Sequence, residues 1–177
     1  MKEHRGTIAL VIFTISALAH ILTFIPALAI SMTQTWWLHL ATMGIFFAMI
    51  LSSVSLQKRA RLNVDDGTSA RKRSNRYQLA LMKMAPVRFR FLVVILFVYA
   101  LVNFGAMMIN TEGATPAFEN EVYFLHHRGD HVRDLTLGEY NRMRAFQVRG
   151  FSGHWMIFSV VAMVYFRYVL PRFKAQP

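Results

Sequence analysis

Four polar side chains lie inside long apolar stretches of the sequence, where an imidazole or a carboxamide is costly. They are His20, His39, Asn103 and His154, each in a different apolar run. Because polar and ionisable groups at membrane depth are rare and usually functional, each is a candidate site residue. Counted at about 1.5 Å rise per residue, all four fall toward the same side of a bilayer. The sequence therefore predicts a shared polar layer that could bind a cofactor.

Two cofactors fit these residue types. Histidines on different helices of a membrane bundle are a common way to hold haem b, which makes His20, His39 and His154 candidate ligands. Imidazole and thioether groups together suit copper(I), and Met43 follows His39 by one turn while Met156 follows His154. Methionine is also a routine packing residue, and histidines in helices often only hydrogen-bond to a neighbouring helix. A haem- or copper-handling redox protein is therefore one alternative function.

No complete reaction centre accompanies these residues. The apolar runs contain no Asp, Glu or Lys, and the chain has no cysteine, which removes iron–sulfur clusters and thiolate metal sites. Ser152 and His154 are two residues apart, so on a helix they point in different directions. A quinone or a lipid headgroup hydrogen-bonded by His and Asn is a further option for the polar layer. The sequence therefore favours a protein that is not an enzyme.

The elements that carry the candidate residues are four apolar runs. These are 7–30, 36–56, 91–109 and 151–170, each long enough to cross about 30 Å of hydrocarbon. The chain is 55% hydrophobic and 16% charged, whereas a soluble domain carries about a quarter charged residues. We therefore predict one membrane domain over 1–177, an all-α bundle of four transmembrane helices with a tight turn between the first two.

The net charge of +11 comes mostly from the segment 57–90 and from the chain ends. The positive-inside rule therefore puts this basic loop and both termini in the cytoplasm, in a membrane such as the bacterial inner membrane. The loop would face anionic lipid headgroups. Residues 77–84 within it have the spacing of a short amphipathic helix, either at the membrane surface or as a solvated linker helix. Because the basic residues adjoin apolar runs, a nucleic-acid partner is disfavoured.

The segment 110–150, between the third and fourth runs, has the pattern of a small folded module on the extracytoplasmic side. Residues 122–125 have the composition of a strand, 132–135 are a candidate second strand, and the polar segment 126–131 separates them. This order predicts a β-hairpin. Because an isolated hairpin is marginal in water, we expect it to pack on the helices or on a partner protein.

A helix is predicted to follow the hairpin. Thr136 and Glu139 have the spacing of a capping box, which marks a helix N-terminus. The helix would run from Leu137 toward Gly150, where Gly150 and Gly153 would allow a bend into the fourth run.

These patterns favour a multi-pass membrane protein that works through partners. We expect a non-catalytic accessory or assembly subunit of a larger membrane complex, bound to another membrane protein or to further copies of itself. A small oligomeric transporter is the remaining alternative, because Gly44 and Ala48 form a small-xxx-small pair in the second run.

Overall fold

The computed structural model describes residues 3–25, 28–62, 77 and 79–174. Its described part is mostly helical, with four helices long and apolar enough to cross a membrane and one three-stranded antiparallel sheet. The elements run in the order α1 (Glu3–Leu22), α2 (Met32–Leu62), α3 (Val87–Asn110), β1 (Thr115–Glu119), β2 (Val122–His127), β3 (Asp130–Asp134), α4 (Leu137–Val164), a π-helical turn (Tyr165–Val169) and α5 (Leu170–Lys174). The prediction of four long apolar helices is confirmed at this level.

The first two helices differ from the predicted runs at their facing ends. α1 ends at Leu22, well before the predicted end at 30, and a turn follows it. Ile25 precedes a proline in the sequence, and a residue in that position is disfavoured in the α conformation. α2 begins at Met32 and continues to Leu62, beyond the predicted end at 56.

Part of the predicted basic loop is also described. Residues 79–84 are helical, in agreement with the predicted short helix, and Pro86 precedes the first residue of α3. The rest of the loop, 63–76 and residue 78, lies outside the described residues.

α4 is the central helix of the bundle. α1, α2 and α3 each pack against it, and most of its apolar half is buried. α3, in contrast, buries only Ala100, Asn103 and Met107, which share one face, and exposes large apolar side chains on the others. The outward faces of the three surrounding helices are therefore apolar, as expected for surfaces that meet lipid.

The helix that begins at Leu137 does not end near Gly150, as the sequence suggested. α4 is one uninterrupted helix from Leu137 to Val164. Gly150 and Gly153, expected to allow a bend, are instead positions where α3 approaches closely. A Cβ added to Gly153 would lie 3.0 Å from the Ala100 Cα, and one added to Gly150 would lie 2.6 Å from the Met107 Sδ. Small residues therefore let the two backbones come together.

The predicted hairpin is part of a three-stranded sheet with the order β1-β2-β3. The turn between β2 and β3 is shorter than predicted and consists of Arg128 and Gly129, both with positive φ (53° and 98°), as in a type I′ turn. β1 was not predicted, and it contains Pro116, a residue that is disfavoured in a central strand. Since β1 is an edge strand, its proline is tolerated.

The sheet is attached to the start of α4. Leu125 and Leu135 pack with Met143 in one apolar cluster. The predicted capping box is present, with the Thr136 Oγ1 accepting from the Glu139 N–H and the Glu139 carboxylate accepting from the Thr136 N–H. We call this end of the bundle the sheet end, and the opposite end the terminal end.

Arg133 on β3 strengthens this attachment. Its guanidinium donates to the Glu139 carboxylate on α4 and to the Glu112 carboxylate after α3, both at 3.0 Å. The Thr136 backbone N–H and hydroxyl, followed by Arg133, lower the pKa of Glu139 to about 2. The first turn of α4 therefore holds a fully ionised carboxylate over the whole physiological pH range.

Candidate functional site

A set of hydrogen-bonded polar side chains crosses the sheet end of the bundle and includes the predicted site residue His20. The His20 ring is 4% exposed. Its Nδ1 lies 2.7 Å from the Ser152 Oγ on α4, and its Nε2 lies 2.6 Å from the Tyr99 hydroxyl on α3. The imidazole therefore connects three helices and has both of its nitrogens engaged.

The direction of these hydrogen bonds depends on the tautomer of His20. The Ser152 hydroxyl donates to the Arg149 carbonyl at 3.1 Å, which uses its one hydrogen. With that hydrogen on the Arg149 carbonyl, the His20 Nδ1–H donates to the Ser152 Oγ and the Tyr99 hydroxyl donates to the His20 Nε2. The other tautomer of His20 reverses both contacts, with the Ser152 hydroxyl donating to Nδ1 and the Nε2–H donating to the Tyr99 hydroxyl. A neutral imidazole satisfies both contacts.

Arg149 continues this network back to α1. Its Nε donates to the Thr23 Oγ1 at 3.2 Å, and its Nη2 donates to the Thr23 carbonyl at 2.9 Å. The guanidinium carbon lies 3.9 Å from the centroid of the Phe24 ring and 4.7 Å from that of Phe146. This arginine therefore holds the C-terminal end of α1 against α4 with hydrogen bonds and stacking together.

Sequence reasoning missed Tyr99, Ser152, Thr23 and Arg149 as members of this site. Ser152 was paired with His154 along the chain, whereas its partner is His20 on another helix. One signal was available in the sequence. Arg149 stands just before the apolar run 151–170, and the carbonyls at the end of a neighbouring helix need hydrogen-bond donors. The spacing of residues along the chain does not show that Arg149 would reach the Thr23 carbonyl.

Asn103 lies one turn beyond Tyr99 on α3. It is 8% exposed, and its side-chain amide donates to the Tyr99 carbonyl at 2.8 Å. This contact satisfies one donor of the amide within its own helix. Asn103 is therefore next to the network, and its side chain makes no hydrogen bond to His20.

His39 and His154 have separate partners. The His39 Nδ1 accepts a hydrogen bond from the Nε1–H of the fully buried Trp155 at 3.1 Å. The His154 Nδ1 lies 3.1 Å from the Gly150 carbonyl one turn earlier, and its ring meets the Phe104 ring of α3 edge-on at 5.6 Å. His39 thus contacts α4 from α2, whereas His154 faces α3.

The two candidate methionines have packing positions. Met43 is half-buried on α2, and Met156 is buried on α4. Within residues 3–25, 28–62, 77 and 79–174, no three or more His, Cys, Asp or Glu side chains are grouped as a metal ion would need. The haem and copper hypotheses stay predictions.

The contact between His20 and Ser152 is geometrically close to a nucleophile–base pair, but it is closed to substrate. A general base must accept the hydroxyl hydrogen, and the Arg149 carbonyl competes with the His20 Nδ1 for the one hydrogen of Ser152. Ser152 is also 0% exposed, so no substrate reaches it in this conformation. The arrangement suits the fixing of helix positions.

Comparisons of the chain with protein-family models, curated proteins and solved structures found no match.

Proposed function

We propose that this protein is a multi-pass membrane subunit without catalytic activity of its own, which binds a partner protein through the exposed face of its sheet. In this proposal α1 to α4 cross the membrane, and the basic segment 57–90 keeps both termini and the terminal end on the cytoplasmic side. The sheet end is then extracytoplasmic, as it would be in a bacterial inner membrane.

The observation that carries the proposal is that the sheet has apolar residues on both faces. Cross-strand partners in an antiparallel sheet point to the same face. Pro116 and Leu125 are partners, and both are buried on the side of α4. Ala117 and Phe124 are the next pair along, so they point away from α4. A sheet with one face on the core normally has polar residues on its other face.

The residues around Phe124 extend this surface. The His131 ring stacks on the Phe124 ring with 5.4 Å between centroids, and the His126 ring lies 6.2 Å away. Val122, two residues before Phe124, is 45% exposed. We call the set of Ala117, Val122, Phe124, His126 and His131 the outer sheet face. Two carboxylates border this surface, because Glu119 is the cross-strand partner of Val122 and Asp134 is that of Phe124. Asp134 also bonds the His131 ring at 2.9 Å. Aromatic side chains surrounded by a polar rim are typical of protein interfaces.

Two further features support a binding role. The outer sheet face is held in place, because the capping box and Arg133 join the sheet to α4. A fixed surface loses little entropy on binding. The histidine and serine at the sheet end hydrogen-bond among themselves, so they support a non-catalytic role better than a reaction.

The proposal is tested by adding one negative charge to the outer sheet face. We compare Val122→Asp with Leu137→Asp, which adds the same charge at an apolar position that is 55% exposed and lies off the sheet. The first turn of a helix tolerates an acidic residue, so Leu137→Asp should fold. In mild detergent, wild type and Leu137→Asp should migrate as a complex larger than the monomer, and Val122→Asp should migrate as the monomer.

A photoreactive residue at position 122 provides the second measurement. In intact membranes it should form one discrete protein adduct, whose partner mass spectrometry identifies. Two differently tagged copies of the chain distinguish a homo-oligomer from a complex with another protein. If wild type migrates as a monomer and no protein adduct forms, the proposal is wrong. A Soret band in the purified protein would support the haem alternative instead.

A further inference from the structure

The terminal end of the bundle contains an apolar cavity of about 390 Å³. This volume falls within the usual range for small-molecule sites. The cavity lies between α2 and α3, and α4 contributes to its wall. It is lined by Met49, Ser53, Leu81, Met82, Ala85, Phe89, Arg90, Val93, Val94, Val161, Val164, Tyr165 and Val169. Nearly all of these side chains are apolar, so the cavity suits a hydrocarbon chain.

The helical segment 79–84 lies against the cavity and is fixed to the rest of the bundle. Leu81 and Ala85 line the cavity and are themselves buried. The Tyr77 hydroxyl donates to the Ser53 carbonyl on α2, and the Arg172 guanidinium donates to the Met84 carbonyl from α5. The cavity is therefore bounded by packed elements.

Arg90 is the only charged residue among the described residues that line the cavity. Its side chain is exposed, and it makes no hydrogen bond or ion pair with any residue that the structure describes. The preceding basic residue, Arg88, does not line the cavity and places its guanidinium 5.2 Å from the Phe89 ring centroid. One cation with free donors thus lies at a cavity whose other lining residues are apolar except for Ser53 and Tyr165.

The cavity also opens toward the apolar outer surface of the bundle. Val94 lines it and is 60% exposed, so its side chain contacts both the cavity and the surroundings of α3. A lipid chain in the bilayer could enter between α2 and α3 without crossing water.

We propose that this cavity binds one anionic phospholipid, with an acyl chain between α2 and α3 and the phosphate against Arg90. Guanidinium groups pair with phosphate through two parallel N–H donors, which favours arginine at such a position. The proposal goes beyond partner binding by the outer sheet face, and it concerns the opposite end of the molecule. It differs from general attraction of basic residues to lipid headgroups, because it predicts one site of fixed stoichiometry.

The test is native mass spectrometry of the full-length protein in mild detergent, with phosphatidylglycerol, phosphatidylcholine or inorganic phosphate added. We expect one phosphatidylglycerol per chain to survive collision energies that remove phosphatidylcholine. Inorganic phosphate alone should not be retained, because it lacks the chain that fills the cavity. Equal retention of the two lipids, retention of neither, or equal retention of inorganic phosphate would overturn the proposal.

Two matched pairs of variants locate the site. Arg90→Gln should reduce retention of phosphatidylglycerol about tenfold, as expected for the loss of one charge-assisted contact, while Arg88→Gln should retain it. Val94→Trp fills the cavity from an exposed position and should abolish retention. Val98→Trp adds the same ring one turn along α3, at a position that is 54% exposed and outside the lining.

Circular dichroism and monodispersity must match wild type for each variant to be counted. Equal losses in Arg88→Gln and Arg90→Gln would mean that the lipid binds a diffuse basic surface. Equal behaviour of the two tryptophan variants would mean that no chain occupies the cavity. Complex formation through the outer sheet face is measured separately, so failure of one proposal does not mimic failure of the other.

Discussion

The His20 Nδ1 and the Ser152 Oγ lie 2.7 Å apart across the interface of α1 and α4. The two residues are separated by 132 positions in the chain. This contact is one side of a closed ring of interactions. Ser152 donates to the carbonyl of Arg149, and Arg149 donates to Thr23. Thr23 in turn donates to the carbonyl of His20 at 2.6 Å. The ring joins the C-terminal end of α1 to the middle of α4, and Tyr99 attaches α3 to it.

Ser152→Ala should destabilise the fold by roughly 1–2 kcal/mol, because it leaves the buried His20 Nδ1 without a hydrogen-bond partner. Ser159→Ala is the matched control, since Ser159 is equally buried on the same helix and its hydroxyl has no hydrogen-bond partner among the described residues. That control should be neutral or slightly stabilising. The free energy of unfolding is measured by titration with sodium dodecyl sulfate. Equal costs for the two variants would contradict the assigned role of Ser152.

Arg149→Lys should also weaken the attachment of α1, although it keeps the charge. An ammonium group cannot stack between the Phe24 and Phe146 rings while it donates in a fixed fork to Thr23. We expect a loss of about 1–2 kcal/mol in the free energy of unfolding. Arg144→Lys is the control, because Arg144 has one ring contact, 5.0 Å from the Tyr140 centroid. If Arg149→Lys is no worse than that control, the charge alone matters.

Gly153→Ala should separate α3 from α4. The new Cβ would lie 3.0 Å from the Ala100 Cα, and a backbone atom cannot move away cheaply. Overpacking of this kind costs about 1–3 kcal/mol. Gly44→Ala should instead be neutral or stabilise by up to about 1 kcal/mol, since no described atom lies within 4 Å of the added Cβ and alanine favours helix. Both are measured as free energies of unfolding in detergent.

The open space at Gly44 bears on the transporter alternative. No described atom outside the local helix backbone lies within 4 Å of a Cβ added at Gly44, so this position leaves room for a second helix. Whether Gly44 and Ala48 form a helix–helix contact between copies stays a prediction. A disulfide cross-link between cysteines introduced at position 44 in two copies would support it.

The sheet module should lose stability in acid. The pKa of Glu139 is about 2 in the fold, against an ordinary value of 4.5. Its contribution is therefore fully present above about pH 4.5 and is lost as the pH falls toward about 2, because the unfolded module binds the proton more tightly. A carboxyl NMR titration should place the midpoint near 2 in wild type and higher in Arg133→Gln. Glu121→Gln should leave the midpoint of Glu139 unchanged.

The elements that the sequence predicted best are those that depend on local patterns. Four apolar runs appear as four long helices, because hydropathy over about 20 residues decides whether a helix can meet hydrocarbon. The capping box at Thr136 and Glu139 depends on residues three apart and is present as predicted. The positions of the helix ends were predicted less accurately. The end of α1 at Leu22 depends on the residues after it and on Arg149.

Tertiary structure alone decided which polar groups meet. The four residues predicted to form one layer are found with different partners, because the rotation of each helix around its axis is set by packing against α4. Pro116 lies in a strand because β1 is at the edge of the sheet, where a residue without an N–H is tolerated. The cavity beside Arg90 depends on the separation of α2 and α3, which no local pattern encodes. The sequence by itself determined four long apolar helices and a folded segment between the last two. Their packing determined that His20 meets Ser152, since that contact joins residues 132 positions apart.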